Sequence, residues 1–324
     1  MYFKESLKKN KLVYKIWNKR NKYRLKKIDS HKLKSNYKFE NRCNNYEDVC
    51  IILAGYKQFL WNDVFSRIKE YIPNNIDVCV VSAGKYDIEL SRICEKNQWS
   101  YLSLKENKVT LAQNVAINLF PAAKLIYKLD EDIFITKGFF EQLKETLVKI
   151  QKEKKYRPSI VAPLINVNGY CYIKILEKIG ILDEFEKKFG NAYYDASPFE
   201  PIVRNGEIAK YLWGSENETL RNIDKLSKKF FNEDFSYSVC PIRYSIGAIL
   251  MPRKTWEDMN MFSVGEGVNL GVDEEELCSY SICQSRPIIV SENILVGHFS
   301  YGPQTETMKQ YYEENKDIFK FRKG

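Results

Sequence analysis

Histidine, paired cysteines and long apolar runs are all scarce or missing in this chain. It has two histidines, no C-x-x-C spacing among its eight cysteines, and no apolar run of the roughly eighteen residues that a membrane span needs. The cysteines lie mostly in apolar segments, so we interpret them as buried thiols in a reducing compartment rather than as zinc ligands or nucleophiles. The polar amino terminus does not resemble a secretory signal, and we expect a cytoplasmic protein.

Excess positive charge is missing outside the first 40 residues. These residues hold 14 basic and three acidic side chains, leaving 37 basic and 39 acidic ones for the rest of the chain. Because the basic residues alternate with Leu7, Val13, Ile16 and Trp17, we predict a basic, partly helical arm over residues 1–45. Such an arm suits an anionic membrane surface, and a solvated helix packed on its own domain fits equally well. Nucleic-acid binding is the less favoured interpretation.

Strand and helix patterns alternate from residue 46 onward. Short apolar runs predict strands near residues 49–54, 77–81, 99–104 and 125–129. Apolar residues at helical spacing predict helices between these strands. This order implies a layered, parallel α/β sheet, and we predict a single domain over residues 46–324.

An acidic triplet, Asp130-Glu131-Asp132, follows the last of these runs. Positions i and i+2 of a strand face the same way, so Asp130 and Asp132 should point together off its carboxyl end, where open α/β sheets bind ligands. Two converging carboxylates suit Mg²⁺ or Mn²⁺. The triplet alone is a common solvated turn, but a helical stripe from Phe140 to Ile150 follows it directly, and a helix amino terminus suits a diphosphate.

The order of four segments is similar to the amino-terminal half of GT-A glycosyltransferases, particularly family 2. These segments are residues 50–56, 80–84, 113–116 and 129–132. The resemblance implies a GT-A type α/β fold, with a Rossmann-like, mostly parallel mixed sheet flanked by helices in a single catalytic domain. It also implies a nucleotide-sugar-binding half over residues 46–150 and an acceptor-binding and catalytic half over residues 151–324.

The resemblance assigns roles to residues of the first half. The candidate contacts to the nucleotide sugar are Ala54, Gly55 and Tyr56 for the base, Gln113 and Asn114 near the sugar, and Asp130 and Glu131. Asp132 is the implied direct metal ligand, with Asp130 beside it. Family 2 proteins commonly carry an Asp after the second strand that binds uracil, whereas this chain has Ser82-Ala83-Gly84-Lys85 and its nearest acid is Asp87. The nucleotide base therefore stays open.

The second half contains two further similar segments. Residues 244–253, followed by Trp256, resemble the strand and "R-x-x-W" helix of the superfamily, and residues 273–278 resemble its "E-D-x-D-L" segment. In inverting members a carboxylate here takes the proton of the acceptor hydroxyl, which makes Glu274 the first candidate base and Asp273 the second. The alternative is an exposed first turn of a helix, where acids are favoured by the helix dipole.

Two further candidate site residues of the second half are His298 and Trp213. His298 ends the apolar run 294–299, and the resemblance implies that it is a third protein ligand of the cation. An ordinary hydrogen-bonded histidine is the alternative, although imidazole is compatible with Mn²⁺. Residues 164–240 are rich in aromatics, and Trp213, beside Gly214 and Ser215, is the candidate contact to an acceptor.

The expected function is that of a glycosyltransferase that depends on Mn²⁺ or Mg²⁺. We expect an inverting transfer from a nucleoside-diphosphate sugar, with UDP favoured, to a glycan or lipid-linked glycan in polysaccharide or surface glycan assembly. The basic arm would hold the enzyme at the inner membrane face. One alternative is a nucleotidyltransferase, although residues 50–60 lack its Gly-rich, basic phosphate loop. The other is a non-catalytic glycan- or polyanion-binding protein on a degenerate transferase fold.

Overall fold

Ten strands form one mixed sheet in the computed structural model, which describes residues 31–265 and 271–321. The strands are β1 (Tyr37–Glu40), β2 (Asp48–Leu53), β3 (Ile76–Ala83), β4 (Ser100–Leu104), β5 (Leu125–Asp130), β6 (Ile133–Phe134), β7 (Ile160–Ile165), β8 (Tyr237–Cys240), β9 (Ala248–Pro252) and β10 (Ile288–His298). Their order across the sheet is β1-β4-β3-β2-β5-β9-β7-β10-β6, and β8 pairs with β10.

Most helices of the described residues lie between these strands, and the last two follow β10. They are α1 (Trp61–Tyr71), α2 (Ile88–Asn97), α3 (Val109–Leu119), α4 (Phe139–Glu153), α5 (Cys171–Ile179), α6 (Leu182–Phe189), α7 (Pro201–Arg204), α8 (Gly206–Leu212), α9 (Glu218–Arg221), α10 (Ile223–Phe231), α11 (Arg253–Asp258), α12 (Val272–Cys283), α13 (Thr305–Glu314) and α14 (Lys316–Phe319). Short 3₁₀ helices span Gln58–Leu60 and Gly302–Gln304. None of the described helices is long and apolar enough to span a membrane.

The sheet is parallel where the nucleotide-binding half was expected. Strands β2, β3, β4 and β5 pair in parallel, as do β7 and β10. Strand β9 is antiparallel to both β5 and β7, so these two parallel groups run in the same direction. Every residue of β3 is buried, as expected for a parallel strand covered on both faces. The predicted fold class, a mostly parallel mixed sheet flanked by helices, is confirmed.

The helix predicted near residues 87–97 is present and begins at a local capping residue. It spans Ile88–Asn97, and the Asp87 side chain caps it by accepting the N–H groups of Glu89 and Leu90. Asp87 is the acid nearest to the loop after β3, and its carboxylate is engaged by this cap and by an ion pair with Lys85 at 3.4 Å.

The predicted boundary between residues 45 and 46 is wrong. Strand β1 pairs antiparallel with β4, with Phe39 opposite Leu102, so residues 37–40 belong to the domain. Lys32 is also buried, and its Nζ donates to the Asn260 carbonyl at 2.6 Å. The arm is thus shorter than predicted, because edge-strand pairing depends on a partner more than 60 residues away. The predicted basic helix within residues 1–30 lies outside the described residues.

Candidate functional site

A cleft of about 590 Å³ opens at the carboxyl ends of the central parallel strands. The predicted site residues that line it are Ala54, Tyr56, Asp130, Glu131, Asp132, Asp273, Glu274 and His298. They come from both halves of the chain. Crossover connections in an open α/β sheet place ligand-binding loops at this edge, which explains why residues distant in sequence meet here.

Asp132 is the most buried acid of the acidic triplet. Strand β5 ends at Asp130 and β6 begins at Ile133, so Glu131 and Asp132 form the turn between them. The Asp132 carboxylate pairs with the Lys57 ammonium, and its Oδ2 lies 3.5 Å from His298 Nε2. Burial by itself raises the pKa of Asp132, but Lys57 and His298 together hold that pKa well below its usual range. Asp132 is therefore ionised.

Strand pairing brings His298 to this carboxylate. His298 is the last residue of β10 and lies opposite Ile133 of β6, the residue that follows Asp132. Its Nδ1 lies 2.9 Å from the Val167 carbonyl, which can only accept, so Nδ1 carries a proton. A ring that is protonated at Nε2 as well donates to Asp132, whereas the neutral ring has its lone pair on Nε2, where it can bind a cation. Metal-binding histidines are commonly oriented by such a second hydrogen bond.

Asp132 and His298 fit a divalent cation as two of its protein ligands. Within residues 31–265 and 271–321, no group of three or more His, Cys, Asp or Glu side chains is arranged to hold a metal. Asp130, the predicted neighbour ligand, pairs instead with Lys128 Nζ at 2.7 Å. A cation bound at Asp132 and His298 would therefore take its other ligands from water or from a bound substrate.

Lys128 fixes the position of Asp130 at the cleft floor. Its ammonium is buried and also donates to the Ile246 carbonyl at 2.9 Å. Burial lowers the pKa of Lys128, but Asp130 and other acids of the cleft outweigh burial and raise it. Burial raises the pKa of Asp130 even though Lys128 opposes this shift.

Glu131 lines the cleft, but its carboxylate binds the protein's own loop. Its two carboxylate oxygens accept the backbone N–H groups of Gly55 at 2.9 Å and Tyr56 at 2.8 Å, and the Trp61 indole N–H at 2.6 Å. These three donors occupy the carboxylate. The structure thus gives Glu131 a positioning role, and its contact to the nucleotide sugar stays a prediction.

The loop after β2 presents Tyr56 to the cleft. The Tyr56 ring is exposed, its hydroxyl donates to the Ala83 carbonyl at 2.8 Å, and Lys85 Nζ lies 5.2 Å from the ring centre. Ala54 also lines the cleft, whereas Gly55 contributes its backbone to Glu131. The loop lies where a base contact needs it, and that contact stays a prediction.

Asp273 and Glu274 lie in the first turn of α12 and also line the cleft. Asp273 accepts a hydrogen bond from Gln113 Nε2 at 2.7 Å, and Glu274 pairs with the Arg243 guanidinium. Burial raises the pKa of Glu274, Asp273 raises it further, and Arg243 opposes the shift without cancelling it. Asp273 is buried and the Glu274 side chain is only 17% exposed, so the two acids do not form the exposed helix turn of the alternative interpretation.

Gln113 and Asn114 lie behind the cleft, so their predicted direct contacts with the sugar nucleotide are wrong. Asn114 is fully buried; its Oδ1 accepts from Trp256 Nε1 at 2.9 Å, and its Nδ2 donates to the Phe262 carbonyl at 2.8 Å. Gln113 is also buried, and its Nε2 donates to Asp273. Both residues position other parts of the site, because helix α3 is covered by the chain segment before α12.

Trp213 does not face an acceptor, and this prediction is wrong. The indole is 1% exposed, packs on Phe134 and Phe319, and donates from Nε1 to the His298 carbonyl at 2.9 Å. Its polar sequence neighbours suggested an exposed ring. The ring is buried because Gly297 leaves room for it beside β10.

The cationic residues of the cleft were missed by sequence reasoning. Lys57, Lys128 and Arg243 all line it. A signal existed for Lys128, because it lies two residues before Asp130 on the same strand and therefore faces the same way. Lys57 directly follows the predicted base loop, which was a weaker signal. Arg243 lies in a segment without regular structure, and no pattern identified it.

Neither the comparison with protein-family models nor that with curated proteins finds a match. Among solved structures, the chain is similar to GalNAc-T7 with UDP, GalNAc and Mn²⁺, at a TM-score of 0.45 and 9% identity over 86% of this chain and 50% of that one. It is also similar to the mannosyltransferase PcManGT from Pyrobaculum calidifontis with GDP-Man and Mn²⁺, at a TM-score of 0.46 and 10% identity over 91% and 71%. The chain thus spans half the length of GalNAc-T7. Likenesses at this level carry no information about the chemistry of the cleft.

Proposed function

We propose that this protein is a GT-A type glycosyltransferase that moves a sugar from a nucleoside-diphosphate sugar to a hydroxyl acceptor. One observation carries the proposal: Asp132 and His298, which lie 3.5 Å apart, line the same cleft as the acid pair Asp273 and Glu274. The cleft lies at the carboxyl ends of parallel strands, where such a donor would bind. The order of the segments that resemble the superfamily supports the same function.

The proposed reaction uses these two groups of residues differently. Asp132 and His298 would hold a divalent cation, which when bound offsets charge on the departing diphosphate. The acceptor oxygen forms a bond to the anomeric carbon, the bond from that carbon to the diphosphate breaks, and Glu274 takes the acceptor proton. Asp273 is the second candidate for this base. We propose inversion at the anomeric carbon, since the base serves the incoming hydroxyl directly.

Ligand chemistry favours Mn²⁺ over Mg²⁺ in this proposal, because an imidazole accompanies the carboxylate. UDP stays the favoured nucleotide, although Asp87 caps α2 and so is not free to select a base. A glycan or lipid-linked acceptor, with the basic amino-terminal residues on an anionic membrane face, completes the proposal. Binding to anionic but not to neutral liposomes would support that location, and equal recovery with both would contradict it.

Donor hydrolysis is the experiment that tests the proposal. UDP-, GDP-, CMP- and dTDP-sugars would each be incubated with Mn²⁺, Mg²⁺ or EDTA, using wild type, Asp132→Asn and the surface control Asp183→Asn. We expect cation-dependent release of one nucleotide by wild type and Asp183→Asn and its loss in Asp132→Asn, with folding checked by thermal unfolding.

Two other outcomes would favour the alternatives. No hydrolysis and no thermal shift with any nucleotide would favour a non-catalytic glycan- or polyanion-binding protein. Release of pyrophosphate from a nucleoside triphosphate and a sugar phosphate would favour a nucleotidyltransferase.

A further inference from the structure

The Lys57 ammonium occupies the position that a divalent cation would need. It pairs with Oδ2 of Asp132, the same oxygen that lies 3.5 Å from His298 Nε2. The Asp132 side chain is only 5% exposed, so few other approaches to its carboxylate are open. An ammonium and a dication that both contact one carboxylate oxygen would lie close together and repel each other strongly. A cation can therefore bind Oδ2 of Asp132 only when Lys57 moves away.

Lys57 has more room to move than Lys128, the other lysine that pairs with the acidic triplet. Its side chain is 23% exposed, whereas Lys128 is 6% exposed and is held by both Asp130 and the Ile246 carbonyl. The other two acids that act on Lys57 are already engaged, because Glu131 accepts three N–H groups and Asp130 pairs with Lys128. A displaced Lys57 would thus need a new anion, and a diphosphate bound in the same cleft would supply one.

We propose that Lys57 is a diphosphate-binding residue that holds the cation position on Asp132 until a nucleoside diphosphate draws it away. Metal and nucleotide then bind cooperatively, each weakly alone and tightly together. The nucleotide gives Lys57 a new partner and gives the cation its missing ligands. This inference rests on the proposed function, since it takes the nucleoside diphosphate as the ligand of the cleft.

Mn²⁺ binding with and without nucleotide tests the proposal. Free Mn²⁺ would be measured by electron paramagnetic resonance in titrations of wild type, Lys57→Met, Lys57→Arg and the control Lys149→Met, alone and with saturating UDP or GDP. Lys149 is a partly exposed lysine on α4 that pairs with Glu145, away from the cleft. The thermal unfolding of each variant without ligand would verify that it is folded, and Lys57→Gln would replace Lys57→Met if the latter were not.

The proposal predicts different responses from the variants. Wild type and Lys149→Met should bind Mn²⁺ at least about tenfold more tightly with nucleotide than without it, a typical size for coupling between two ligands. Lys57→Met should bind Mn²⁺ alone about tenfold more tightly than wild type and lose most of the coupling. In EDTA, UDP or GDP should bind Lys57→Met more weakly than wild type. Lys57→Arg should keep the coupling, because it keeps the charge.

Three outcomes would overturn the inference. One is equal Mn²⁺ affinity of wild type and Lys57→Met without nucleotide, and another is unchanged coupling in Lys57→Met. The third is wild-type nucleotide binding that is the same in Mn²⁺ and in EDTA, which would mean that Lys57 itself compensates the diphosphate. If neither UDP nor GDP bound at all, the proposed function would also be contradicted. The first three outcomes contradict only the inference about Lys57, so the two failures are distinguishable.

Discussion

The carboxylate of Glu131 holds the backbone of Tyr56 in place, with the Tyr56 N–H donating to Oε1 at 2.8 Å. Gly55 and Trp61 donate to the other oxygen at 2.9 and 2.6 Å. The acidic turn after β5 and the loop after β2 therefore form one unit. The central residue of the acidic triplet stabilises this unit, and the two aspartates on either side of it line the cleft.

Replacing Glu131 by Gln should destabilise the protein and weaken nucleotide binding. A glutamine oxygen can accept fewer of the three donors, and its NH₂ group would face an N–H group in a buried place. We expect a loss of about 2–3 kcal/mol in the free energy of unfolding, measured by urea denaturation. Glu95→Gln, at an exposed position on α2, should change stability by less than about 0.5 kcal/mol. Equal stability of the two variants would show that the Glu131 contacts contribute little.

Most of the fold could be predicted because local patterns determine it. The run from Asp77 to Val81 is entirely apolar after its first residue, and a strand covered on both faces needs that pattern. The position of the acidic triplet at the cleft could also be predicted, because the triplet follows a parallel strand. The carboxyl ends of parallel strands lie at the edge of the sheet where ligands bind. Strand β1 was not predicted, because its short, largely polar sequence shows no strand pattern and its pairing with β4 depends on a distant segment.

The detailed roles within the site could not be predicted, because they depend on contacts far apart in sequence. The exposure of Trp213 is decided by Gly297, which lies 84 residues later and leaves room for the indole. The role of Glu131 is decided by donors from the loop after β2 and from α1. The spacing of residues along the chain does not show which polar side chain of the site forms a hydrogen bond with which partner.

Gly297→Ala should destabilise the protein through Trp213. A Cβ at residue 297 would overlap the indole ring, with Cζ2 only 2.7 Å away, and the indole is buried on all sides. Overpacking of this kind costs about 1–3 kcal/mol, and the shift should also disturb His298, the next residue. Urea denaturation would give the change in stability. Gly302→Ala is the control, because nothing lies within 4 Å of its new Cβ, and a similar loss there would point to a general effect of the glycine substitution.

The two candidate bases can be separated by the pH dependence of donor hydrolysis. If Glu274 is the base, kcat falls as the pH drops through its pKa, which burial raises above the ordinary glutamate value. Arg243 lowers this pKa, so Arg243→Gln should move the acidic limb to higher pH. Glu274→Gln should reduce kcat by about 10²–10⁴ and remove the limb, whereas Asp273→Asn should keep the limb. The reverse result would identify Asp273 as the base.

Glu40 provides a test of strand β1 that is independent of the cleft. Its carboxylate accepts from Ser91 Oγ at 2.8 Å and Tyr86 Oη at 2.9 Å, and pairs with Lys38 Nζ at 3.0 Å and Arg42 Nη2 at 3.3 Å. Burial raises the pKa of Glu40, but these donors outweigh burial and lower the pKa to about 2. A carboxyl whose pKa is lowered by folding stabilises the protein above its unfolded pKa and loses that contribution as the pH falls toward the folded pKa.

Glu40→Gln should therefore be less stable than wild type at pH 7 and should approach wild type as the pH falls from about 4.5 toward 2. We expect a difference of about 1 kcal/mol at pH 7, because solvent screens this group near the surface. Urea denaturation at pH 7 and pH 3 would measure it. Glu47→Gln breaks an exposed pair with Lys124 and should show little difference at either pH. A Glu40→Gln difference that is as large at pH 3 as at pH 7 would mean that packing, not charge, holds β1 at the sheet edge.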